Sequence, residues 1–345
     1  MKIFSMSKGR ENHIDSTAGF LICYMILTHI FQFANMDDTP VYLWLRRFLF
    51  FFMPWFFFKA GMFYKPAPVS QVIKKSTGRL LLPFIIFSFI GHIIWCTDIA
   101  TARKFSIREF FFTPISDVVT HTGAPQGNTP LWFLFSLFFV RILFCILQKK
   151  TPVWLISILA FGTAYILSFI HTDRFVYVMN ISSGLAFCSA GYGFRHISQN
   201  RADQLIAPAI AIYTLIVILL PSYVDMRSNH LITGNYWIYC LSSVCGIFAI
   251  NKLAQVKFLS KTSNKLKLSV IGRGSMIWFC LHWPLLLVVK IIALNIIGTN
   301  DTAYFIAMLA TCTIFLPIFT RIPLLWVLTT DPCALIQKKT SKENV

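Results

Sequence analysis

His29 and His282 each stand inside a long apolar run, at 21–33 and 276–287. An imidazole is the side chain best suited to take a proton from a hydroxyl near neutral pH. A hydroxyl is a poor nucleophile until a base removes that proton, so the chemistry on offer is group transfer to an alcohol. Gln32 follows His29 by three residues and falls on the same helical face. His282 opens His-Trp-Pro, with Gly272 and Gly274 upstream of its run. Pro284 frees a backbone carbonyl inside a helix, and a cavity can use such a group. The competing reading is structural: a packing histidine at 29, and a kink with a buried histidine at 282.

Cations punctuate the same runs. Lys59 interrupts the Phe-rich stretch 52–58, near one end of its run. It can snorkel its amine to a headgroup layer or face an internal anionic site. Arg141 stands deeper in its run. Lys74, Lys75 and Arg79 precede Pro83. Such a cluster serves topology and lipid contact, or the phosphates of a donor arriving from the cytoplasm.

The elements that position these residues are set by composition. Of 345 residues 56% are hydrophobic and 13% charged, with 35 Phe. Soluble domains carry about 25% charged residues, and the mean hydropathy of +0.67 adds to the contrast. An all-α integral membrane protein follows, a single polytopic bundle of about ten transmembrane helices. The expected spans are about 17–36, 42–64, 80–97, 131–148, 152–171, 176–194, 205–222, 235–254, 275–296 and 303–327. In the first of these His29 lies twelve residues in, ~18 Å along the helix and near mid-membrane. Strands are not expected, because an open sheet cannot satisfy its backbone in lipid.

Every segment on one side is basic, from Lys2, Lys8 and Arg10 to the Lys-rich stretch 252–273 and Lys338, Lys339 and Lys342. That bias sets both termini in the cytoplasm, N-in and C-in. It also accounts for the net charge of +18 without nucleic acid as a partner. The longest outer connection, about 98–130, alternates charge with aromatics over 105–112, as an interfacial segment does. Nine cysteines lack any CxxC pairing and read as small hydrophobes, so no metal site is expected. The first span reads as a retained helix rather than a cleaved signal.

In order and spacing these pieces resemble the membrane-bound acyltransferase family 3, the group that includes polysaccharide O-acetyltransferases. They are Asp15, Gly19 and His29; the run 52–58 with Gly61; Lys75 with Arg79-Leu80-Leu81-Leu82-Pro83; Leu131-Trp132-Phe133-Leu134; and Gly272, Ser275 and His282-Trp283-Pro284. The resemblance covers 11–330, followed by a basic cytoplasmic tail, 331–345. It implies a multi-pass protein of the cell membrane, with the bacterial inner membrane as its setting. It implies transfer of an acyl group, acetyl first among them, from acetyl-CoA to a hydroxyl of a cell-surface polysaccharide or lipid-linked glycan. In that reading His29 is the catalytic base, Lys59, Lys75 and Arg79 bind the donor, and Trp132, Ser275 and His282 bind the acceptor. Family members often carry a basic residue eleven positions before the histidine, on the same helix face; here that position is Ala18. The alternatives are a glycan or lipid transporter and a catalytically degenerate family member.

Overall fold

The computed structural model describes residues 12–102, 106–297, 300–330 and 332. The N-terminal cations and nearly all of the basic tail lie outside the described residues. The helices are α1 Asn12–Phe33, α2 Pro40–Leu49, α3 Phe52–Met62, α4 Val69–Ser76, α5 Leu82–Ala102, α6 Ile107–Ser116, α7 Trp132–Leu147 and α8 Val153–Leu167. They continue as α9 Val176–Phe194, α10 Gln199–Leu219, α11 Tyr236–Leu253, α12 Lys257–Lys265, α13 Leu268–Arg273, α14 Ser275–Ile297, α15 Asp301–Phe319 and α16 Pro323–Thr330.

Among the described residues, eight helical segments are long and apolar enough to cross a membrane. They occupy expected spans one to four and seven to ten. The fifth position holds α8, shorter at 15 residues. The sixth holds α9, whose Asn180, Ser183 and Ser189 lower its hydropathy and are buried among neighbouring helices. Large aliphatic side chains point outward, such as Ile158 and Ile166 on α8 and Leu215 and Leu219 on α10. Lipid covers such faces, whereas water would not tolerate them in this density.

Four local features depart from the sequence reading. First, α1 begins at Asn12, because Asp15, Ser16 and Thr17 are buried in the protein and not held in a loop. His29 therefore lies ~26 Å from the inner end of α1 and only ~6 Å from its outer end, away from the middle of the helix. Second, the second span breaks between α2 and α3 at Phe50–Phe51. Thr39 caps α2 and Pro40 starts it, so α2 is a separate helix with its own N-terminal signal. Third, a small antiparallel hairpin forms outside the apolar segments, β1 Tyr223–Asp225 with β2 His230–Thr233. It occupies the connection between α10 and α11, and a strand edge carries no penalty where water or protein can satisfy it. Fourth, part of the connection 98–130 is buried. Of its interfacial segment, Phe105 lies outside the described residues, and α6 is a capped helix exposing Ile107, Phe111, Phe112 and Ile115.

Two contacts place the histidine-bearing helices. α1 crosses α13 through glycine: a Cβ on Gly272 would stand 1.7 Å from the Asp15 carbonyl oxygen, and one on Gly19 2.0 Å from that of Leu268. Backbone therefore touches backbone at the inner ends of α1 and of the α13–α14 unit. The second contact is polar. Pro284 has no N–H, so the Cys280 carbonyl, four residues earlier in α14, loses its helical donor. Asn128, wholly buried in a 3-10 turn before α7, donates its side-chain amide to that carbonyl at 2.9 Å. Gly127 beside it meets Gly91 of α5 with no room for a Cβ, which lets the turn enter the bundle.

Gly272→Ala must push α1 from α13 and should cost about 1–3 kcal/mol or more, read as a lower Tm of detergent-purified protein. Gly162→Ala, whose Cβ meets nothing within 4 Å, should leave Tm unchanged or raised. Asn128→Asp keeps the shape but removes the donor to Cys280. It should lower stability by about 1–3 kcal/mol in the same measurement.

Candidate active site

The outer half of the bundle encloses a cavity of about 420 Å³. That volume falls within the range of small-molecule sites. His29 and Gln32 of α1, Tyr42 of α2, Trp132 at the start of α7 and Trp283 of α14 are in its wall, and the β1–β2 hairpin closes one side.

The hydrogen bonds fix the histidine tautomers. His29 Nδ1 lies 2.9 Å from Gln32 Oε1. An amide oxygen only accepts, so Nδ1 carries the proton. Gln32 Nε2 in turn donates to the Tyr42 hydroxyl at 3.2 Å, which agrees with that assignment. His29 Nε2 is thus left with a lone pair. The spacing of three residues placed Gln32 on the correct face, and Thr39 and Pro40 bring Tyr42 back to meet it.

His282 lies behind His29 and is wholly buried, outside the cavity wall. The two rings stack at 5.3 Å with 22° between their planes. His282 Nδ1 faces the Phe279 carbonyl at 2.8 Å and that of Trp278 at 3.1 Å. Carbonyls only accept, so this Nδ1 also carries its proton, and Nε2 is a buried lone pair without a hydrogen-bond partner. Trp283 meets His29 edge-on at 5.1 Å and packs against Phe33. Rotation of the His29 ring is therefore opposed by Gln32 on one edge, His282 on a face and Trp283 on another edge.

The other residues singled out in the sequence lie elsewhere. Ser275 opens α14, half-buried and about two turns before His282. Lys59 is half-buried, its amine 5.3 Å from the Trp55 ring. Lys75 and Arg79 are exposed on α4 and the π turn that follows it, within electrostatic reach of Arg141. None of these lines the cavity. Ala18 is fully enclosed in the core, so the face of α1 below His29 is apolar.

Several wall residues escaped the sequence reading. Arg46, Tyr223 and Arg227 face the cavity, and Asn128 supports it from behind. The hairpin had a signal: two short runs of strand-formers, Tyr-Val-Asp and His-Leu-Ile-Thr, flank a polar turn and end at Gly234. Arg46 and Asn128 had none, because their roles depend on partners far away in the chain.

No curated protein and no solved structure matches the chain. A family model described as an acyltransferase domain matches residues 13–321, which takes in both histidines, the cavity walls and the glycine crossing. The match spans nearly the whole of the membrane-embedded helical bundle, and the chain belongs to acyltransferase family 3.

Proposed function

We propose that this membrane acyltransferase moves an acyl group, acetyl first among them, from acyl-CoA to a hydroxyl of a cell-surface polysaccharide or lipid-linked glycan. The observation that carries the reading is the His29–Gln32–Tyr42 chain, which commits Nδ1 and turns the Nε2 lone pair into a base. Nε2 takes the proton of the acceptor hydroxyl. The new C–O bond forms at the thioester carbonyl as the C–S bond breaks. The same proton then passes from His29 to the departing sulfur, and the imidazole ends neutral as it began. Trp132, Trp283 and Tyr42 offer flat faces that suit the C–H faces of sugar rings. His282 and Trp283 hold the imidazole in place.

The donor's phosphates fit the inner end of the bundle. Lys75 and Arg79 form no ion pair among the described residues, and Arg141 beside them has a buried Nε without a hydrogen-bond partner. Three cations with an unsatisfied donor suit phosphate oxygens. Lys59, held over Trp55, is half-buried and adds a fourth cation to this set. With Ala18 sealed in the core, these residues take the part that a basic side chain on α1 has in many family members.

His29→Ala should lower transfer of labelled acetyl from acetyl-CoA by about 10²–10⁴-fold in isolated membranes, at unchanged protein level. Transfer at the parental rate would refute the assignment. Tyr42→Phe retains the ring but not the hydroxyl and should cost about tenfold or less. Lys75→Glu with Arg79→Glu should raise KM for acetyl-CoA by about tenfold with little change in kcat, the pattern of lost ground-state binding.

A further inference from the structure

Arg46 and Arg47 are neighbours on α2, and the fold uses them in opposite ways. Arg47 turns to α10, where its Nε donates to the Val217 carbonyl at 2.5 Å and a terminal nitrogen donates to that of Ile218. Both carbonyls belong to the last turn of α10 and have no helical donor, so Arg47 acts as a cap. Arg46 turns to the cavity. Its guanidinium lies 4.6 Å from the Tyr223 ring centre and 5.9 Å from that of Tyr42. Arg227, at the hairpin turn, also faces the cavity and lies within electrostatic reach of His29.

Among the described residues neither guanidinium forms an ion pair. Two aspartates share the wall, and neither lies within ion-pair distance of them. Asp225 is occupied by the Arg227 backbone N–H at 3.1 Å and the Ser228 hydroxyl at 2.8 Å. Asp37 is exposed at the mouth. Burial, then the Asp225 carboxylate, push the Tyr223 phenol up, so the ring beneath Arg46 stays neutral. Stacking on an aromatic face fixes the guanidinium plane and leaves its charge intact. A planar arginine fork so held is matched to a carboxylate or a phosphate, which it binds in bidentate fashion.

We infer that the acceptor carries an anionic group, carboxylate or phosphate, beside the hydroxyl that is acylated, and that Arg46 binds it with Arg227 opposite. This rests on the acyl-transfer reading above and adds the class of acceptor to it. A glycan containing a uronic acid and a glycosyl phosphate both present that chemistry. Arg46 and Arg227 are specificity residues here, and the proton transfer at His29 does not pass through them.

The test uses the full chain in phosphatidylcholine nanodiscs, with tryptophan fluorescence as the readout, since Trp132 and Trp283 line the cavity. A glucuronate-containing disaccharide, glucose 1-phosphate, a neutral disaccharide and coenzyme A are titrated separately. At least one of the two anionic sugars should bind about tenfold more tightly than the neutral one. Arg46→Gln should abolish that preference without weakening the neutral sugar, and Arg46→Lys should restore part of it. Should Arg46→Gln not yield folded protein, Arg227→Gln and the salt dependence of the parental preference serve instead; the preference should shrink as ionic strength rises. Equal binding of neutral and anionic sugars overturns the inference. So does a preference indifferent to Arg46→Gln, or an Arg46-dependent response to coenzyme A alone, which would assign the site to the donor. Acetyl-CoA turnover, measured on the same samples, separates the two claims. Turnover without anion preference removes only this inference. Anion preference without turnover leaves the site standing and removes the acyl-transfer reading.

Discussion

In hydrocarbon each backbone carbonyl must find its donor within the protein. The Cys280 carbonyl, released by Pro284, meets that requirement only because Asn128 reaches it from a turn before α7. Much of the site follows from this one bond. It pins the irregular turn against α14, and that turn leads directly into Trp132. It also braces α14 where Pro284 interrupts its hydrogen bonds, next to His282 and Trp283, the two side chains that hold the His29 ring. A local defect in one helix is thus converted into a junction among α5, α7 and α14.

Two other buried side-chain amides of the outer half obey the same constraint. Asn180, buried in α9, donates to the Arg227 carbonyl at 2.7 Å, and Asn229, also buried, donates to the Ala164 carbonyl at 2.7 Å. Both bonds tie the hairpin to the bundle by its turn. The wall that carries Tyr223 and Arg227 is therefore as firmly seated as the helices, though it is not one of them. The inner half is different: Lys75 and Arg79 lie on exposed helix surface, and Lys59 and Arg141 are half-buried. The fold thus sets a charged inner face apart from the cavity of the outer half.

How much of this was legible depended on the range of the interaction. Hydropathy placed a helix at each of ten positions, because burial in lipid is a property of the local run. His29, Gln32 and Trp132 were visible for the same reason: their spacing within one element already fixes a face or an end. The start of α1 was set too late, since Asp15, Ser16 and Thr17 are helical and buried within the protein. The break at Phe50–Phe51, the buried turn at Asn128 and the opposite directions of Arg46 and Arg47 were not legible. Each is decided by a partner more than thirty residues away, and single-segment patterns carry no record of such partners. His282 was expected to bind the acceptor and instead lies outside the cavity wall, stacked on His29, a place set by the packing of α1 against α14.

The glycine crossing of α1 and α13 has a mechanical consequence. Where backbone rests on backbone, no side chain can change rotamer to take up a displacement, so the seam has no slack. α1 bears His29, and α13 runs straight into α14, which bears His282. The inner ends of the two helices are thus fastened together, and the stacked imidazoles travel as one rigid piece. The α2–α3 break at Phe50–Phe51, where the second span leaves helical hydrogen bonding, has no such seam among the described residues to hold it.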